Sequence, residues 1–356
     1  MKIFLSIFTM LASFLSFFSL SETNSFKDEF KGKEVTNFHL VYEEETIEIG
    51  MIGDILLHKP LYNYTSYLPS FEPVEKELAS LDFLLANQES VPAGVQFGLS
   101  GYPNFSSPSH IIRDLKKVGV DLISLANNHT LDQREAGLLS AIQTMEKEEV
   151  PYIGAYKSLE DQQTDRIFEV KGVVFGFLNY TYGTNGHVIP EGKEYLVNLI
   201  DPDKISKDIN ALKEKSDVVV VSIHWGAEYE LQPNDTQKEL AKLISEAGGD
   251  IIFGHHPHVI QPYEKITNSI GKETHVFYSL GNFFSGQQFD YTSIGGLAKV
   301  EVKLKRVQNK KLLEIHNPSF LATAVVKGKP YKIYPLEKVT NPAASPEWIQ
   351  GHVFNQ

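Results

Sequence analysis

The sequence predicts an α/β fold, in which short buried strands alternate with amphipathic helices. Several short runs are apolar at nearly every position, as expected of strands that are buried on both faces. Between these runs, apolar residues repeat at helical spacing; Ile111, Leu115 and Val118 fall on one helical face. Gly119 then follows at the position where glycine commonly ends a helix. Strands that alternate with helices in this way are typical of the α/β class.

The individual elements follow from the same patterns. Strands are predicted at Thr46–Ile52, Phe83–Ala86, Val120–Ala126, Val173–Leu178, Val218–Ile223, Asp250–Phe253 and His275–Ser279. Helices are predicted at Pro73–Leu81, His110–Val118, Arg134–Glu148, Ile205–Glu214 and Thr236–Ala247, with Gly248 ending the last. The later stretch Leu297–Tyr334 is richer in strand-like runs, so we expect it to close the sheet or to pack beside it.

The N-terminal segment differs in composition from the rest of the chain. From Ile3 to Leu20 it is apolar with interspersed serines and no charge, and it ends in a small-x-small pattern at Ser19-Leu20-Ser21. This is the layout of a secretory signal peptide, although about 20 apolar residues can also anchor a protein in a bilayer. Both alternatives predict an extracytoplasmic protein. The predicted organisation is a leader over 1–21, a tether over 22–45, a folded domain over 46–340 and a tail over 341–356.

Composition narrows the classes of function. The 356 residues include 42% hydrophobic and 22% charged residues, which is ordinary for a globular protein. The net charge of −12 argues against a nucleic-acid binder, which needs a basic face. Without cysteine, any metal must be held by imidazole, carboxylate or amide oxygen. The sequence also has neither a phosphate-binding loop ending in Lys-Ser/Thr nor a Gly-x-Ser-x-Gly nucleophile motif.

Polar clusters begin where the predicted strands end. In open α/β sheets, ligands bind beyond the carboxyl ends of the strands, so five such clusters can converge on one site. They are Gly53-Asp54, Asn87-Gln88-Glu89, Asn127-Asn128-His129, His224-Trp225-Gly226-Ala227-Glu228 and Gly254-His255-His256-Pro257-His258.

The histidine cluster is the strongest single signal for a metal. On an extended segment, His256 and His258 point the same way and can share an ion, whereas His255 points away. The alternative is a polar turn after a strand. Three histidines within four residues, directly after an apolar strand, favour the metal.

The remaining clusters supply further candidates of the same chemistry. Asp54, Glu89 and Asn128 offer oxygen ligands, and His224 ends a fully apolar strand, where a buried imidazole needs a partner. A turn Asp, a surface Glu and a helix-capping Asn are the alternatives. We expect His58 to face solvent.

Proton transfer and substrate contact are assigned to other residues of the same clusters. His129 is the candidate general acid or base, with Asp132 orienting its ring. Glu228, His255 and Asn282 are candidates for substrate contact, with structural support as the alternative for Asn282.

The ordered set of motifs resembles the CapA family, also called the PgsA type, of bacterial poly-γ-glutamate capsule synthesis and export proteins. The motifs that carry the resemblance are Gly53-Asp54-Ile55, Asn87-Gln88-Glu89, Ala126-Asn127-Asn128-His129-x-x-Asp132, His224-Trp225-Gly226-x-Glu228-Tyr229, Gly254-His255-His256-Pro257-His258-Val259 and Tyr278-Ser279-Leu280-Gly281-Asn282-Phe283. That family is similar in turn to calcineurin-like metallophosphoesterases. The resemblance implies an αββα sandwich of two packed sheets flanked by helices, at the bacterial cell surface.

The resemblance also implies a two-metal site with Mn, Zn or Mg as the divalent ion. By position, Asp54 matches the carboxylate of the first motif, Asn128 the metal-binding Asn and His129 the catalytic His. His224, His256 and His258 match the later histidine ligands. Two positions depart from the phosphoesterase pattern: Leu56 stands where that pattern has His, and Asn87 and Glu89 stand where it has a bridging Asp. The ligand set is therefore altered, and the number of metals stays open.

Two functions follow from these expectations. One is a metal-dependent, phosphoesterase-like hydrolase, with Asp54, Glu89, Asn128, His224, His256 and His258 as ligands and a phosphoester or a γ-glutamyl polymer as substrate. The other is a non-catalytic accessory subunit that holds the anionic polymer at the membrane, beside the capsule-synthase subunits. An acidic protein needs a local positive centre to bind a polyanion.

Overall fold

A computed structural model describes residues 42–307 and 310–354. The predicted leader, and the predicted tether as far as Val41, lie outside these residues. Among the described residues, the helices are too short or too polar to cross a membrane.

The described chain contains fourteen strands and eight α-helices. The strands are β1 Tyr42–Leu56, β2 Phe83–Gln88, β3 Leu122–Ser124, β4 Tyr152–Ile153, β5 Ile167–Val170, β6 Val173–Thr181, β7 Val218–His224, β8 Ile251–His255, β9 Ile260–Thr267, β10 Glu273–Leu280, β11 Asn282–Ser285, β12 Ile294–Val307, β13 Lys310–Val326 and β14 Lys332–Pro335. The helices are α1 Leu68–Phe71, α2 Glu75–Ala79, α3 His110–Lys117, α4 Arg134–Lys147, α5 Leu159–Gln163, α6 Pro202–Lys213, α7 Asp235–Ala247 and α8 Pro346–Phe354.

These strands form two sheets. The first sheet has eight strands in the order β14-β13-β12-β1-β2-β3-β4, with β11 also paired to β1. The second has six strands in the order β5-β6-β7-β8-β10-β9. Strands β1, β2 and β3 run parallel in one sheet, and β6, β7 and β8 run parallel in the other. Each set therefore presents its carboxyl ends together.

Apolar side chains join the layers into a sandwich. One core lies between the sheets and includes Met51 and Leu85 from the first and Phe175, Val220 and Phe253 from the second. On the outer face of the first sheet, α3 and α4 pack over strand residues. On the outer face of the second sheet, α6 and α7 do the same. Two packed sheets flanked by helices confirm the predicted αββα fold class.

Two neighbouring glycines bring the end of β1 close to the start of β11. A Cβ on Gly53 would lie 2.2 Å from the carbonyl oxygen of Gly281, so only glycine fits there. The approach lets the Asp54 N–H donate to that same oxygen at 2.9 Å. The first-motif carboxylate is thereby held between β2 and β11.

Several element boundaries differ from the sequence prediction. Strand β3 is shorter than Val120–Ala126 because the amide of Ala126 donates instead to the Asn179 side chain at 2.7 Å. The predicted helix Pro73–Leu81 divides into a 3₁₀ turn, Glu72–Val74, and α2. The helix-ending glycines are confirmed, because Gly119 and Gly248 both have φ of about 100°. The apolar runs alone did not reveal the short β4 and β5 or the strands β9 and β11.

Structure extends beyond both ends of the predicted domain. Strand β1 begins at Tyr42, within the segment predicted as a tether. Helix α8 lies within the predicted tail and buries Ile349 and Val353 against the rest of the molecule.

Candidate metal centre

Asp54 lies at the meeting point of the two sheets. Its side chain is fully buried, and its Oδ1 accepts hydrogen bonds from Asn87 Nδ2 at 2.8 Å and His255 Nδ1 at 2.9 Å. Its Oδ2 lies 3.2 Å from His258 Nδ1. Burial would raise the pKa of Asp54, but the hydrogen bonds and charges of the two histidines hold that pKa well below its usual range. Asp54 is therefore a carboxylate at neutral pH.

Glu89 is the second carboxylate and has a different environment. It is fully buried, directly after β2, and neither of its carboxyl oxygens has a hydrogen-bond partner. His224 Nε2 and His258 Nε2 lie 3.5 and 3.8 Å from Oε1. Burial raises the pKa of Glu89 well above its usual range. A buried carboxylate without hydrogen bonds is costly, so a cation among these groups would stabilise it.

The end of β7 brings His224 to the same place. Its ring is buried and its Nε2 lies 2.9 Å from the side-chain oxygen of Asn128, while Nδ1 has no partner. Burial and the charge of His256 lower the pKa of His224 well below its usual value. Neutral imidazole is the form that binds metal.

The loop after β8 presents His256 and His258 from strained backbone. Their φ angles are 96° and 58°, in a bend between β8 and β9, so the extended segment predicted here is wrong. Such φ values are costly for residues other than glycine and concentrate at functional sites. The two rings nevertheless approach each other, with centroids 5.9 Å apart. The two imidazoles converge because the backbone bends here, and not because alternate residues of a strand point the same way.

The two histidines of this loop carry opposite pKa shifts. Burial lowers the pKa of His256 to about 3, with the charge of His258 adding to the effect. For His258, burial acts in the same direction, but the charge of Glu89 and the contact with Asp54 outweigh it and raise the pKa to about 9. His258 therefore carries a positive charge that balances the Asp54 carboxylate.

His129 and Asp132 form a buried pair beside these groups. His129 Nδ1 lies 2.7 Å from Asp132 Oδ2, which also accepts the Phe105 N–H at 2.6 Å. The edge of the Phe105 ring packs against His129, with centroids 4.7 Å apart. With Nδ1 engaged, Nε2 is the ring atom left to exchange a proton with a substrate.

Asn127 binds the backbone of His129 and does not cap a helix. Its Oδ1 accepts the His129 N–H at 3.0 Å, which closes a turn before α4. Helix α4 has Gln133 at its N-cap and no side-chain cap, so the helix-capping alternative for Asn127 and Asn128 is wrong.

Two residues predicted to contact substrate lie behind the site instead. His255 is buried, with Nδ1 against Asp54 and Nε2 3.4 Å from Met51 Sδ. Asn282 is also buried; its Oδ1 lies 3.1 Å from His258 Nδ1 and its amide donates to Gln287 and to the Thr292 carbonyl. Both side chains hold ligand candidates in place, and neither has a free polar atom for a substrate.

Glu228 remains at the open side of the site. It is exposed, and a carboxylate oxygen lies within 4.8 Å of ligand atoms of both His256 and His258. This position is compatible with the predicted contact to substrate and also with metal binding.

Three further residues surround the site. Tyr182, after β6, packs its ring on His256 with centroids 4.7 Å apart. Asn185 in the same loop lies 3.3 Å from both Asn128 Nδ2 and His129 Nδ1. Both belong to the polar segment Asn179–Asn185 that ends the strand β6, for which the sequence left open a pocket lining or a glycine-containing turn. His58, expected to face solvent, is half-buried against Phe105.

The side chains present fit a divalent cation. Two groups of ligand atoms within 4.8 Å of one another share Glu89: one adds His224 and His256, the other adds Asp54 and His258. Ligands at about 2.0–2.1 Å from a zinc ion in tetrahedral geometry lie roughly 3.4 Å apart. The separations of 3.5 and 3.8 Å between Glu89 and two imidazoles approach that value. The Glu89 oxygens and the Nδ1 atoms of His224 and His256 have no hydrogen-bond partner, and oxygen and nitrogen atoms of these kinds are ligands for a divalent cation.

Comparison with known proteins agrees with the resemblance in the motifs. The family model described as "Bacterial capsule synthesis protein PGA_cap" matches residues 48–287, which include every residue of the predicted site. The chain belongs to this family.

Two relatives and one solved structure show the extent of the similarity. The chain is 29% identical over 282 residues to "PGA biosynthesis protein CapA" of Bacillus subtilis, covering 76% of this chain and 72% of that protein. It is 29% identical over 276 residues to "Capsule biosynthesis protein CapA" of Bacillus anthracis, covering 73% and 65%. A putative 5'-nucleotidase structure from Staphylococcus aureus matches with a TM-score of 0.49 and 15% identity, over 85% of this chain and 56% of that one.

Proposed function

We propose that this capsule-synthesis family member is a metal-dependent hydrolase or transferase that acts on an anionic polymer. The observation that carries the proposal is the buried Glu89 carboxylate without hydrogen-bond partners, facing histidine nitrogens. Asp54, Glu89, Asn128, His224, His256 and His258 would hold the divalent ion, which is Mn, Zn or Mg. A bound cation of this kind polarises a phosphoryl or acyl oxygen and lowers the pKa of water.

The chain's own residues would carry the proton chemistry. His129 would donate or accept a proton at Nε2, and Asp132 would hold its Nδ1 and stabilise the protonated ring. Glu228, on the open side, would contact the substrate. Tyr182 covers two of the histidines and would limit the access of water.

The names of the relatives support the choice of polymer. They are described as proteins of PGA and capsule biosynthesis. We therefore propose a γ-glutamyl polymer as the substrate of this chain, with a phosphoester as the alternative. The apolar N-terminal stretch from Ile3 to Leu20 supports an extracytoplasmic, secreted or membrane-anchored location, beside capsule-synthase subunits of the membrane.

A non-catalytic accessory role is the second candidate. Leu56, buried at the end of β1, occupies the position where the phosphoesterase pattern has a histidine. One imidazole fewer than in that pattern favours a protein that binds a cation and the polymer without turning it over.

One experiment separates the two roles. The purified protein is stripped with a chelator, resupplied with Mn²⁺, Zn²⁺ or Mg²⁺, and assayed with a generic phosphodiester and with poly-γ-glutamate. His129→Gln is compared with His316→Gln, a change at a half-exposed histidine on β13. Metal-dependent turnover that is lost only in His129→Gln supports the enzyme. If the wild type binds the polymer but does not turn it over, the enzymatic role is wrong and the accessory role is supported.

A further inference from the structure

Two adjoining grooves lie beside the metal centre. The near groove, about 530 Å³, is lined by residues that include His58, Lys59, Tyr62, Tyr102, Tyr229 and Gln287. The far groove, about 870 Å³, is lined by residues that include Asn63, Thr65, Ser66, Lys327, Lys329 and Tyr331. We propose that the two grooves bind successive carboxylates of an extended polyanionic chain whose reacting bond lies at the metal centre. The identity of the polymer, poly-γ-glutamate, rests on the proposed function.

The near groove adjoins the candidate site through two of its lining residues. The ring of Tyr229, on one wall, lies 6.2 Å from that of His258. On another wall, the His58 ring meets the edge of Phe105, with centroids 4.8 Å apart, and Phe105 in turn packs against His129. A chain in this groove would therefore lie against side chains that contact His258 directly and His129 through Phe105.

One short segment separates the near groove from the far groove. Lys59 lines the near groove and the next residue, Pro60, lines the far one. The Tyr331 N–H donates to Tyr64 Oη at 2.9 Å, which joins this segment to the turn between β13 and β14. That turn carries Lys327. The segment 58–66 therefore forms part of the wall of both grooves.

The charge lining the two grooves differs from that of the whole protein. The chain has 45 acidic and 33 basic side chains, yet no Asp or Glu lines either groove. Lys59, Lys327 and Lys329 are exposed and have no carboxylate partner among residues 42–307 and 310–354. By contrast, Lys272 beside another cavity is paired with Asp250 at 2.5 Å. The three ammonium groups of the grooves therefore remain available to an external anion.

A polycarboxylate fits these walls better than a nucleic acid does. Lysine is a flexible point charge that suits single carboxylates, and the hydroxyl of Thr65 and the amide of Gln287 can bond to the amides of a polymer. Tight nucleic-acid binding needs many more phosphates neutralised than three lysines allow. Because the overall field repels polyanions, binding should depend on these lysines and weaken with salt.

The test compares two triple variants of the full chain with equal change of charge. One is Lys59→Gln/Lys327→Gln/Lys329→Gln. The control is Lys207→Gln/Lys238→Gln/Lys242→Gln, at exposed lysines of α6 and α7 that also have no ion-pair partner among the described residues. The probe is fluorescently labelled poly-γ-glutamate, measured by anisotropy in low and high salt. A single-stranded oligonucleotide of similar charge serves as a second probe.

The groove variant should bind poly-γ-glutamate about tenfold more weakly or worse, and the control should change less than about twofold. Uptake of Mn²⁺ and turnover of a small phosphodiester should be unchanged in both variants. Equal polymer binding by the two variants would overturn the proposal, and so would equal binding of the oligonucleotide through the same lysines. The wild type and both variants may all lack turnover while the groove variant alone binds the polymer more weakly. That result would contradict the catalytic proposal and support polymer binding in the grooves.

Discussion

At the residue scale, the buried carboxylates of the site differ in whether they accept hydrogen bonds. Asp132 accepts hydrogen bonds from His129 and from the Phe105 backbone, and Asp54 accepts them from two imidazoles and an amide. Glu89 accepts none. Asp132 Oδ1 also lacks a hydrogen-bond partner, but its Oδ2 accepts two, whereas Glu89 accepts none at either oxygen, which points to a ligand that completes Glu89.

Asp132→Asn tests the positioning role of the Asp132–His129 pair. Asparagine can still accept the Phe105 N–H but cannot stabilise a protonated His129, so we expect turnover to fall about tenfold or more. Metal content should stay at the wild-type level, and the pH dependence of turnover should change. The control is Asp165→Asn, in an exposed ion pair with Lys215. Unchanged turnover with an unchanged pH profile would show that Asp132 is only structural.

Glu89→Gln tests the unsatisfied carboxylate. Because burial raises its pKa, the folded metal-free protein holds a proton that the unfolded chain releases above the usual glutamate pKa of about 4.3. The contribution of Glu89 to the stability of the metal-free wild type should therefore shrink as pH rises from that value towards the folded pKa, so the difference in unfolding free energy between the wild type and Glu89→Gln should narrow over this range. Denaturant unfolding in chelator at several pH values measures it.

The same variant should lose metal. A neutral amide is a weaker ligand, so the affinity for Mn²⁺ or Zn²⁺ should fall at least about tenfold, whereas the control Glu135→Gln, in an ion pair with Lys193, should keep it. Wild-type affinity in Glu89→Gln would remove Glu89 from the ligand set.

At the element scale, the ends of parallel strands assemble the site. Asp54 pairs in register with Asn87 on the neighbouring strand, and His224 pairs with His255. The contact of Gly53 with Gly281 then draws β11 against β1 and brings Asn282 to His258. Backbone packing between strands thus determines where the side chains meet.

Gly53→Ala should disturb this packing. The new Cβ would lie 2.2 Å from a backbone oxygen, which cannot rotate away, so we expect the free energy of unfolding to fall by about 1–3 kcal/mol, with weaker metal binding. The control is Gly183→Ala, where a Cβ meets no atom within 4 Å. Thermal melts and metal titrations of both variants measure the effect. Equal stability of the two variants would contradict the close approach.

At the scale of the whole molecule, the ligand candidates come from both sheets. Asp54, Glu89 and Asn128 lie in or after strands of the first sheet, and His224, His256 and His258 lie in or after strands of the second. A cation bound among them would therefore link the two sheets at one edge, in addition to the apolar core between them.

Metal should stabilise the entire fold for this reason. At a free concentration of about 100 times Kd, Mn²⁺ or Zn²⁺ should raise the free energy of unfolding by about 2.7 kcal/mol, and a chelator should reverse the gain. Scanning calorimetry with and without metal measures it. His224→Ala should abolish the increase and His316→Ala should keep it. An increase that persists in His224→Ala would place the cation elsewhere.

Much of the fold followed from local patterns. Strands that are buried on both faces were predicted from their near-continuous apolar runs. Helices that are buried on one face were predicted from apolar residues at helical spacing. Strands β4 and β5 were missed because Tyr152–Ile153 and Ile167–Val170 are too short for a period to show. Helix α8 was missed because its few buried residues depend on contacts with distant strands.

Residue types and local spacing were enough to predict the α/β class, the family and the polar clusters at the strand ends. Which members of each cluster face the site became visible only in the folded chain. His255 and Asn282 turned out to lie behind it, while Tyr182 and Asn185 reached it from a loop. The reason is physical: direction depends on bends such as the one at His256 and on close approaches such as that of Gly53 to Gly281. Those are set by packing between segments far apart in the chain.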